Sequence, residues 1–522
     1  MKTLAILPAL AGCYPVLFLY AHNIEQVRPQ DLWLPLLLAL GSSTALFLLW
    51  RRVLRDADRA GVLTFAWAAC FWSVGLLERL VRRLAAGSVS VGKQHYLLLG
   101  FFFLLLALVA LLILRWRAVP REVSVALQVM TAVLLGITIF PILPHDIARA
   151  YAAFHRTRRQ EDVHLAKMGM RPNIIHLVPD AYGRADILKT RYGLDNEPFL
   201  RALESRNFHV FRAARANYNV TPLCLAAALN MEYISGIRAK GDDAEPLRDL
   251  IWQSRVRALL KERGYRFIDF ESGWPFTNIR SADEVRGTAS RLSPFHSSVL
   301  SMTPVPVLLK ALGSNALDYY AIQRHRVNNT FANVPHVSDL DRPVFVFAHV
   351  MTPHPPFVFQ DDGTPVQPNR PYSGRDGDDF YEDGGAKAEY RAGYPAQVQY
   401  VNRVTLAMVD QLRRRMTRPT IIILQGDHGP GMGLAWENLP ASDLRERLTI
   451  FCAVSFPDGD YRGLSDTTSP VNLYRLVFSR YFGADFPQLP NRSYVTNWKH
   501  LYTYTRIDQG RLKLDFNDTW QH

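Results

Sequence analysis

Charge is distributed unevenly along this 522-residue chain, and that asymmetry constrains the fold more than any other feature. Residues 1–150 hold 14 Lys/Arg and 7 Asp/Glu, with long uncharged runs, whereas residues 151–522 hold 46 and 40. Five apolar segments, near 4–21, 32–50, 60–77, 95–114 and 123–143, approach or exceed the about 20 residues a helix needs to cross a bilayer. The rest has an ordinary soluble composition. With 48% hydrophobic and 20% charged residues overall, wholesale disorder is excluded. The chain therefore reads as a five-helix membrane domain (1–145), a basic juxtamembrane linker helix (146–170) with Arg156, Arg158 and Arg159, and a soluble part.

Ile6–Tyr20 reads as a retained helix rather than a signal peptide, because four more spans follow and no clear A-x-A site precedes a soluble domain. Charge bias orients the spans. With the N-terminus inside, the inner loops carry Lys2, Arg51, Arg52, Arg55, Arg59, Arg115, Arg117 and Arg121, against Arg28, Arg79, Arg82, Arg83 and Lys93 outside. Five spans from that start place the soluble part outside the cytoplasm. The spans hold almost no internal ionisable residues, which favours an anchor over a transporter. The soluble part carries only +6 of the net charge of +13, with both signs interspersed, and no nucleic-acid motif is present, so nucleic-acid binding is set aside. The four cysteines, Cys13, Cys70, Cys224 and Cys452, form no C-x-x-C spacing and imply neither a disulfide framework nor a zinc ribbon.

From residue 171, short β-branched runs alternate with amphipathic stretches. Asn173–Val178, Tyr265–Phe270, Val344–His349, Thr420–Leu424 and Thr449–Ser455 have the length of buried strands; Glu197–Arg206, Asp249–Arg263 and Val398–Arg415 read as helices. That alternation predicts an α/β domain with a mostly parallel central sheet, whose ligands bind past the carboxyl ends of the strands. Three strand ends carry suitable chemistry. Pro179-Asp180 follows the first run, His349 through His354 the third, and Gly426-Asp427-His428-Gly429 the fourth. Singly, each is ordinary turn chemistry. Together, carboxylates and imidazoles at three ends of one sheet suit a borderline cation such as Zn²⁺ or Mn²⁺. Adjacent Asp427 and His428 must reach it from a turn, for which the flanking glycines are suited.

These residues, with Asn217-Tyr218-Asn219-Val220-Thr221, resemble the sulfatase-like branch of the alkaline phosphatase superfamily. Five spans followed by such a domain (171–490, with a C-terminal extension over 491–522) resemble lipoteichoic acid synthases and phosphoethanolamine transferases. The resemblance implies that Asp180, Thr221, Asp427 and His428 hold one divalent metal ion. Thr221 is then the nucleophile and His354 the residue that meets the transferred group or protonates the leaving oxygen, with His349 beside it on the substrate side. It further implies a bacterial cytoplasmic-membrane protein that moves a phospho-headgroup, phosphoglycerol or phosphoethanolamine, from a membrane phospholipid to an envelope glycan or lipid through a phospho-threonine. Hydrolysis of an extracytoplasmic ester by the same residues and a non-catalytic envelope binding protein are the alternatives. Thr221-Pro222 also reads as a helix start. Cys224 lacks the C-x-P-x-R context of formylglycine sulfatases, since Leu225-Ala226-Ala227 follows it. Asp180 stands where the membrane transferases carry Glu. The only histidines after His428 are His500 and His522, which argues for a single metal. Arg445 and Arg447 read either as phosphate contacts or as solvated surface charge, and the Asp/Gly/Pro-rich stretch 361–391 as a surface loop or lid.

Overall fold

The computed structural model describes residues 10–24, 27, 29–84, 91–115, 120–155, 171–234, 237, 243–287, 293–314, 317–339, 342–368, 370 and 372–507. Residues 4–9 of the first apolar segment, the basic segment with Arg156, Arg158 and Arg159, and the last part of the C-terminal extension, 508–522, lie outside the described residues. The chain divides into two compact units, Met1–Gln160 with Ser290–Asp318, and Glu161–Ala289 with Tyr319–His522.

The first unit is helical: Tyr14–His22, Pro29–Leu54, Ala57–Leu84, Val91–Arg115 and Arg121–His155. Among the described residues, three stretches are long and apolar enough to cross a membrane: Pro29–Leu54, Ala57–Leu77 and Glu122–Ile147. Among those residues, too, large exposed apolar side chains such as Trp33, Leu37, Leu104 and Phe140 belong to this unit, with Val285 the one exception. Such a surface is at home in hydrocarbon rather than water. Two short helices from later in the chain, Pro294–Ser301 and Val305–Ala311, complete the unit. The Phe295 ring meets Tyr20 edge-on at 6.1 Å, and Gly75 N–H donates to Met302 O at 3.1 Å. A Cβ on Gly75 would lie 2.1 Å from Ser301 O, so glycine is what allows this approach.

The second unit is built on a seven-stranded sheet: β1 (Asn173–Pro179), β2 (His209–Val210), β3 (Arg266–Phe270), β4 (Glu284–Arg286), β5 (Val344–Val350), β6 (Thr420–Gln425) and β7 (Cys452–Ser455), in the order β2-β7-β6-β1-β5-β3-β4. β6, β1, β5, β3 and β4 run parallel; β7 is antiparallel to both its neighbours. The mostly parallel α/β sheet expected from the sequence is thus present. Alternation along each strand feeds two cores. Ile174, Val178, Phe345, Phe347, Ile421 and Ile423 face one, and Ile175, Leu177, Val344, Val346, Ile422 and Leu424 the other. Thr221–Asn230 and Pro470–Phe482 cover the first face, and Lys387–Arg415 with Ala185–Tyr192 and Glu197–Glu204 the second.

Two local expectations change. The helix expected over Asp249–Arg263 is two helices, Glu245–Trp252 and Arg255–Glu262, because Ser254 is extended and its side chain caps the second. In the run Thr449–Ser455 the strand begins only at Cys452; Thr449 and Ile450 make isolated antiparallel bridges to Arg215 and Gly183.

Candidate metal centre and active site

The site lies past the carboxyl ends of β1, β5 and β6, three adjacent parallel strands. Register places Val178 opposite His349 and Pro179 opposite Val350, so the chain leaves both strands side by side. Asp180 N–H then donates to Val350 O (2.9 Å), and Asp180 O accepts from His354 N–H (3.0 Å). These bonds bring the two turns, and their side chains, to one point. Ala181 takes a left-handed φ of 61° and aims its N–H at Asp427 Oδ1, 3.0 Å away. Left-handed alanine is strained by about 1–2 kcal/mol, as backbone at functional sites often is.

The turn after β6 owes its shape to close approach. Neither Gly426 nor Gly429 has positive φ. A Cβ on Gly426 would fall 2.6 Å from Tyr182 O, and one on Gly429 2.0 Å from Glu446 O. Glycine there lets the turn press against Tyr182 at one end and Glu446 at the other, with Gly426 N–H bonded to Phe451 O (2.9 Å) and Gly429 N–H to Arg447 O (2.7 Å).

Three buried atoms at this point have no hydrogen-bond partner: Asp180 Oδ1, His349 Nε2 and Asp427 Oδ2. One ligand atom from each of these residues lies within 4.8 Å of the others. Asp180 Oδ2 is 3.4 Å from His349 Nε2; His428 Nε2 is 3.6 Å from Asp180 Oδ1 and 3.4 Å from Asp427 Oδ2. Buried acceptors facing one another without donors are costly unless something cationic sits among them. Two carboxylates and two imidazoles are the donor set of a borderline divalent ion, so the residues fit the expected cation. Burial pushes the Asp180 carboxyl up, but the imidazoles of His354, His349 and His428 outweigh it and hold it below the usual carboxylate range.

The tautomer of His428 follows from its neighbours. Arg447 Nη2 lies 3.1 Å from Nε2, and arginine carries no acceptor, so Nε2 presents its lone pair. Nδ1–H donates to Gly429 O at 2.9 Å. Burial first, then the Arg447 charge, lowers the pKa of His428 and keeps the ring neutral and able to ligate. Thr221 Oγ1 reaches the same Nε2 at 2.9 Å. Thr221 is the first residue of Thr221–Asn230; the cap position belongs to Val220, whose side chain bonds nothing. The threonine hydroxyl is therefore turned to the site rather than used as a cap. Asn219, two residues earlier, fixes this entry: its amide bonds both N–H and C=O of Thr496 at 2.9 Å.

All six residues read from the sequence converge here, though not all as expected. His349 stands with the carboxylates, its Nε2 3.4 Å from Asp180 Oδ2, and Thr277 Oγ1, 2.9 Å from Nδ1, orients it. His354 sits to one side: its ring centre is 6.4 Å from that of His428, Nδ1 is committed to Pro355 O at 2.6 Å, and Nε2 lies 3.9 Å from Asp376 Oδ2. The sequence does not single out Asp376, and it leaves Arg447 between a phosphate contact and solvated surface charge. Asp376 is buried within the stretch read as a surface loop or lid; its carboxylate pairs with Arg447 at 2.7 Å and accepts from Tyr390 OH at 2.8 Å. Arg447 is 2% exposed, whereas Arg445 pairs with Asp186 at 3.0 Å. Cys224 is buried and donates to Tyr218 O at 3.0 Å, with its thiol pKa pushed far up by burial.

The family model described as Sulfatase matches residues 172–452. No curated protein matches the chain. Among solved structures, the C-terminal periplasmic domain of EcEptC from Escherichia coli is 13% identical with a TM-score of 0.43, over 67% of this chain and 96% of that one. Lipooligosaccharide phosphoethanolamine transferase A (EptA), an integral membrane protein from Neisseria meningitidis, is 12% identical with a TM-score of 0.41, over 94% of this chain and 96% of that one. A protein in the alkaline phosphatase superfamily from Vibrio parahaemolyticus is 14% identical with a TM-score of 0.37, over 68% and 81%.

Proposed function

Because the chain belongs to the sulfatase family, enzymes of the alkaline phosphatase superfamily, we propose that it is a metal-dependent phosphotransferase acting outside the cytoplasm of a bacterium. It takes a phospho-headgroup, phosphoethanolamine or phosphoglycerol, from a membrane phospholipid and passes it to an envelope glycan or lipid. Five membrane spans hold it in the inner membrane with the sulfatase-like domain outside. The observation that carries this reading is the Thr221 hydroxyl, 2.9 Å from His428 Nε2, which itself lies 3.6 Å from the unpartnered Asp180 Oδ1 and 3.4 Å from the unpartnered Asp427 Oδ2. A nucleophile so placed is one that a bound cation activates.

Asp180, Asp427, His428 and His349 would hold the cation, which supplies charge neutralisation for a phosphoryl group and a lowered pKa for the threonine hydroxyl. Thr221 Oγ1 attacks phosphorus and its proton leaves to solvent. The bond from phosphorus to the glycerol oxygen of the lipid breaks. His354 as the imidazolium gives that oxygen its Nε2 proton and keeps Nδ1–H on Pro355 O. The acceptor hydroxyl then attacks the phospho-threonine and returns a proton to His354, while Thr221 Oγ1 leaves and takes its proton back from solvent. The buried thiol of Cys224 and the residues after it speak against cysteine-derived formylglycine chemistry. The apolar surface of the helical unit favours a donor presented by the bilayer over a soluble ester.

The test is diacylglycerol release from labelled phosphatidylethanolamine and phosphatidylglycerol by the full chain in proteoliposomes with Mn²⁺ or Zn²⁺. Wild type releases diacylglycerol from one of them, Thr221→Ser more slowly, and Thr221→Ala not at all. Release by Thr221→Ala at the wild-type rate overturns the assignment.

A further inference from the structure

Arg447 is anchored on every side but one. Nε–H donates to Asn219 O at 2.8 Å, and Nη1 donates to Asp376 Oδ2 at 2.7 Å and to Gly429 O at 3.2 Å. The guanidinium lies over the Trp436 ring, 5.5 Å from its centre. Only Nη2 points to the reacting groups, and among the described residues its one partner is His428 Nε2, at 3.1 Å. That nitrogen has a single lone pair, which Thr221 Oγ1 also approaches. A cation ligated by Nε2 takes the lone pair, and Nη2 then carries a charged donor with no acceptor, buried beside the nucleophile. Such a donor is costly to leave unmade and strong when paired with an anion.

We propose, on the phosphotransferase reading above, that Arg447 is a further catalytic residue. In the metal-loaded enzyme Nη2 binds a non-bridging oxygen of the tetrahedral oxyanion being transferred. Two properties follow from its setting. The guanidinium is held rigidly by Asn219, Gly429 and Asp376, so no ordering is required when the anion arrives. The donor is released only when His428 ligates, so cation and oxyanion bind with positive coupling, and the coupling is reciprocal. With one cation-binding group among the described residues, Arg447 is the second positive charge of the site.

The probe is inorganic phosphate, titrated calorimetrically into the full chain in detergent, with Mn²⁺ or after chelation. Metal content is measured in parallel by mass spectrometry of the ion. Wild type binds phosphate at least about tenfold more tightly with the cation than without. Arg447→Gln keeps its metal and loses phosphate affinity about tenfold or more, and Arg447→Lys does not restore it because the fork geometry is lost. Arg447→Gln with wild-type metal and wild-type phosphate affinity overturns the proposal and leaves the Thr221 reading standing. Wild type that binds neither metal nor phosphate overturns both. Where Arg447→Gln fails to fold, Arg447→Lys decides: metal retained with phosphate affinity about tenfold or more below wild type is expected, and wild-type phosphate affinity overturns the proposal.

Discussion

Replacing Glu446 by glutamine is expected to stabilise the protein in alkaline solution and to change little in acid. Glu446 is 1% exposed, beside Arg447 and against the turn that presents His428. Its oxygens accept from Tyr192 OH (2.5 Å) and Gly433 N–H (2.8 Å). Burial, and then repulsion from Asp443, pushes its carboxyl from an ordinary 4.5 up to about 8, against the pull of both hydrogen bonds. The unfolded chain releases this proton near the ordinary value and the folded chain only near the raised one. Between them the folded state binds more protons, so stability falls as pH rises and the loss is complete above pH 8. At about 1.4 kcal/mol per pH unit, the loss across that window is about 3–5 kcal/mol. Glutamine keeps an acceptor and removes the charge. The stability gained by Glu446→Gln therefore grows from near zero at about pH 4.5 to about 3–5 kcal/mol at about pH 9. Urea unfolding of the full chain in detergent, followed by tryptophan fluorescence across this range, measures it. A difference between variant and wild type that stays flat from about pH 5 to pH 9, within about 1 kcal/mol, would refute the reasoning.

Saturating Mn²⁺ or Zn²⁺ should raise the unfolding free energy by about 2.7 kcal/mol at a hundredfold excess over Kd. Asp427→Asn, which retains an acceptor for Ala181 N–H, should abolish that increase in a thermal melt. Gly429→Ala should cost about 1–3 kcal/mol and eliminate activity, because its Cβ meets the Glu446 carbonyl at 2.0 Å; both are read by a melt and a turnover assay. Asn219→Ala should cost about 1–3 kcal/mol by leaving both backbone groups of buried Thr496 unpaired, and should lower kcat by loosening the entry to Thr221. Cys224→Ala should keep wild-type turnover, since the thiol only fills a core position; loss of activity in a folded, metal-loaded variant would restore a cysteine-based mechanism to consideration.

The strand ends were legible because each is a mostly apolar, β-branched run followed closely by chemistry: Val178 and Pro179 before Asp180, Leu424 and Gln425 before Asp427 and His428. A residue just past a buried parallel strand has few places to go, so adjacency in sequence translates into position. Thr221 was legible through its neighbours, though its two readings separated only when Val220 proved to occupy the cap. The two readings of Arg447 stayed open for a physical reason. Leu-Arg-Glu-Arg-Leu has the alternation of a solvated helix, and what buries Arg447 while leaving Arg445 with Asp186 comes from Asn219, Asp376 and Gly429, far away in the chain. Asp376 was hidden by its surroundings, whose Asp and Gly content matches that of any surface loop. His349 needed the register of β5 against β1 before it could be set beside Asp180. The glycines at 426 and 429 were noticed, but the reason for them, Tyr182 O against Gly426 and Glu446 O against Gly429, is a tertiary fact. Pro294–Ser301 and Val305–Ala311 carry no pattern that distinguishes them from the domain around them, yet they belong with the helical unit.

The most direct test of the central claim, that Thr221 is the nucleophile of a cation-dependent transfer, is the intact mass of the full chain. Wild type and Thr221→Ala are incubated with mixed membrane phospholipids and Mn²⁺ or Zn²⁺, quenched in acid and weighed. The expected result is a phospho-headgroup adduct on wild type, mapped to Thr221, whose mass names the donated group, and no adduct on the variant. Lipid turnover by wild type with no adduct at Thr221, or an adduct that persists in Thr221→Ala, would contradict it.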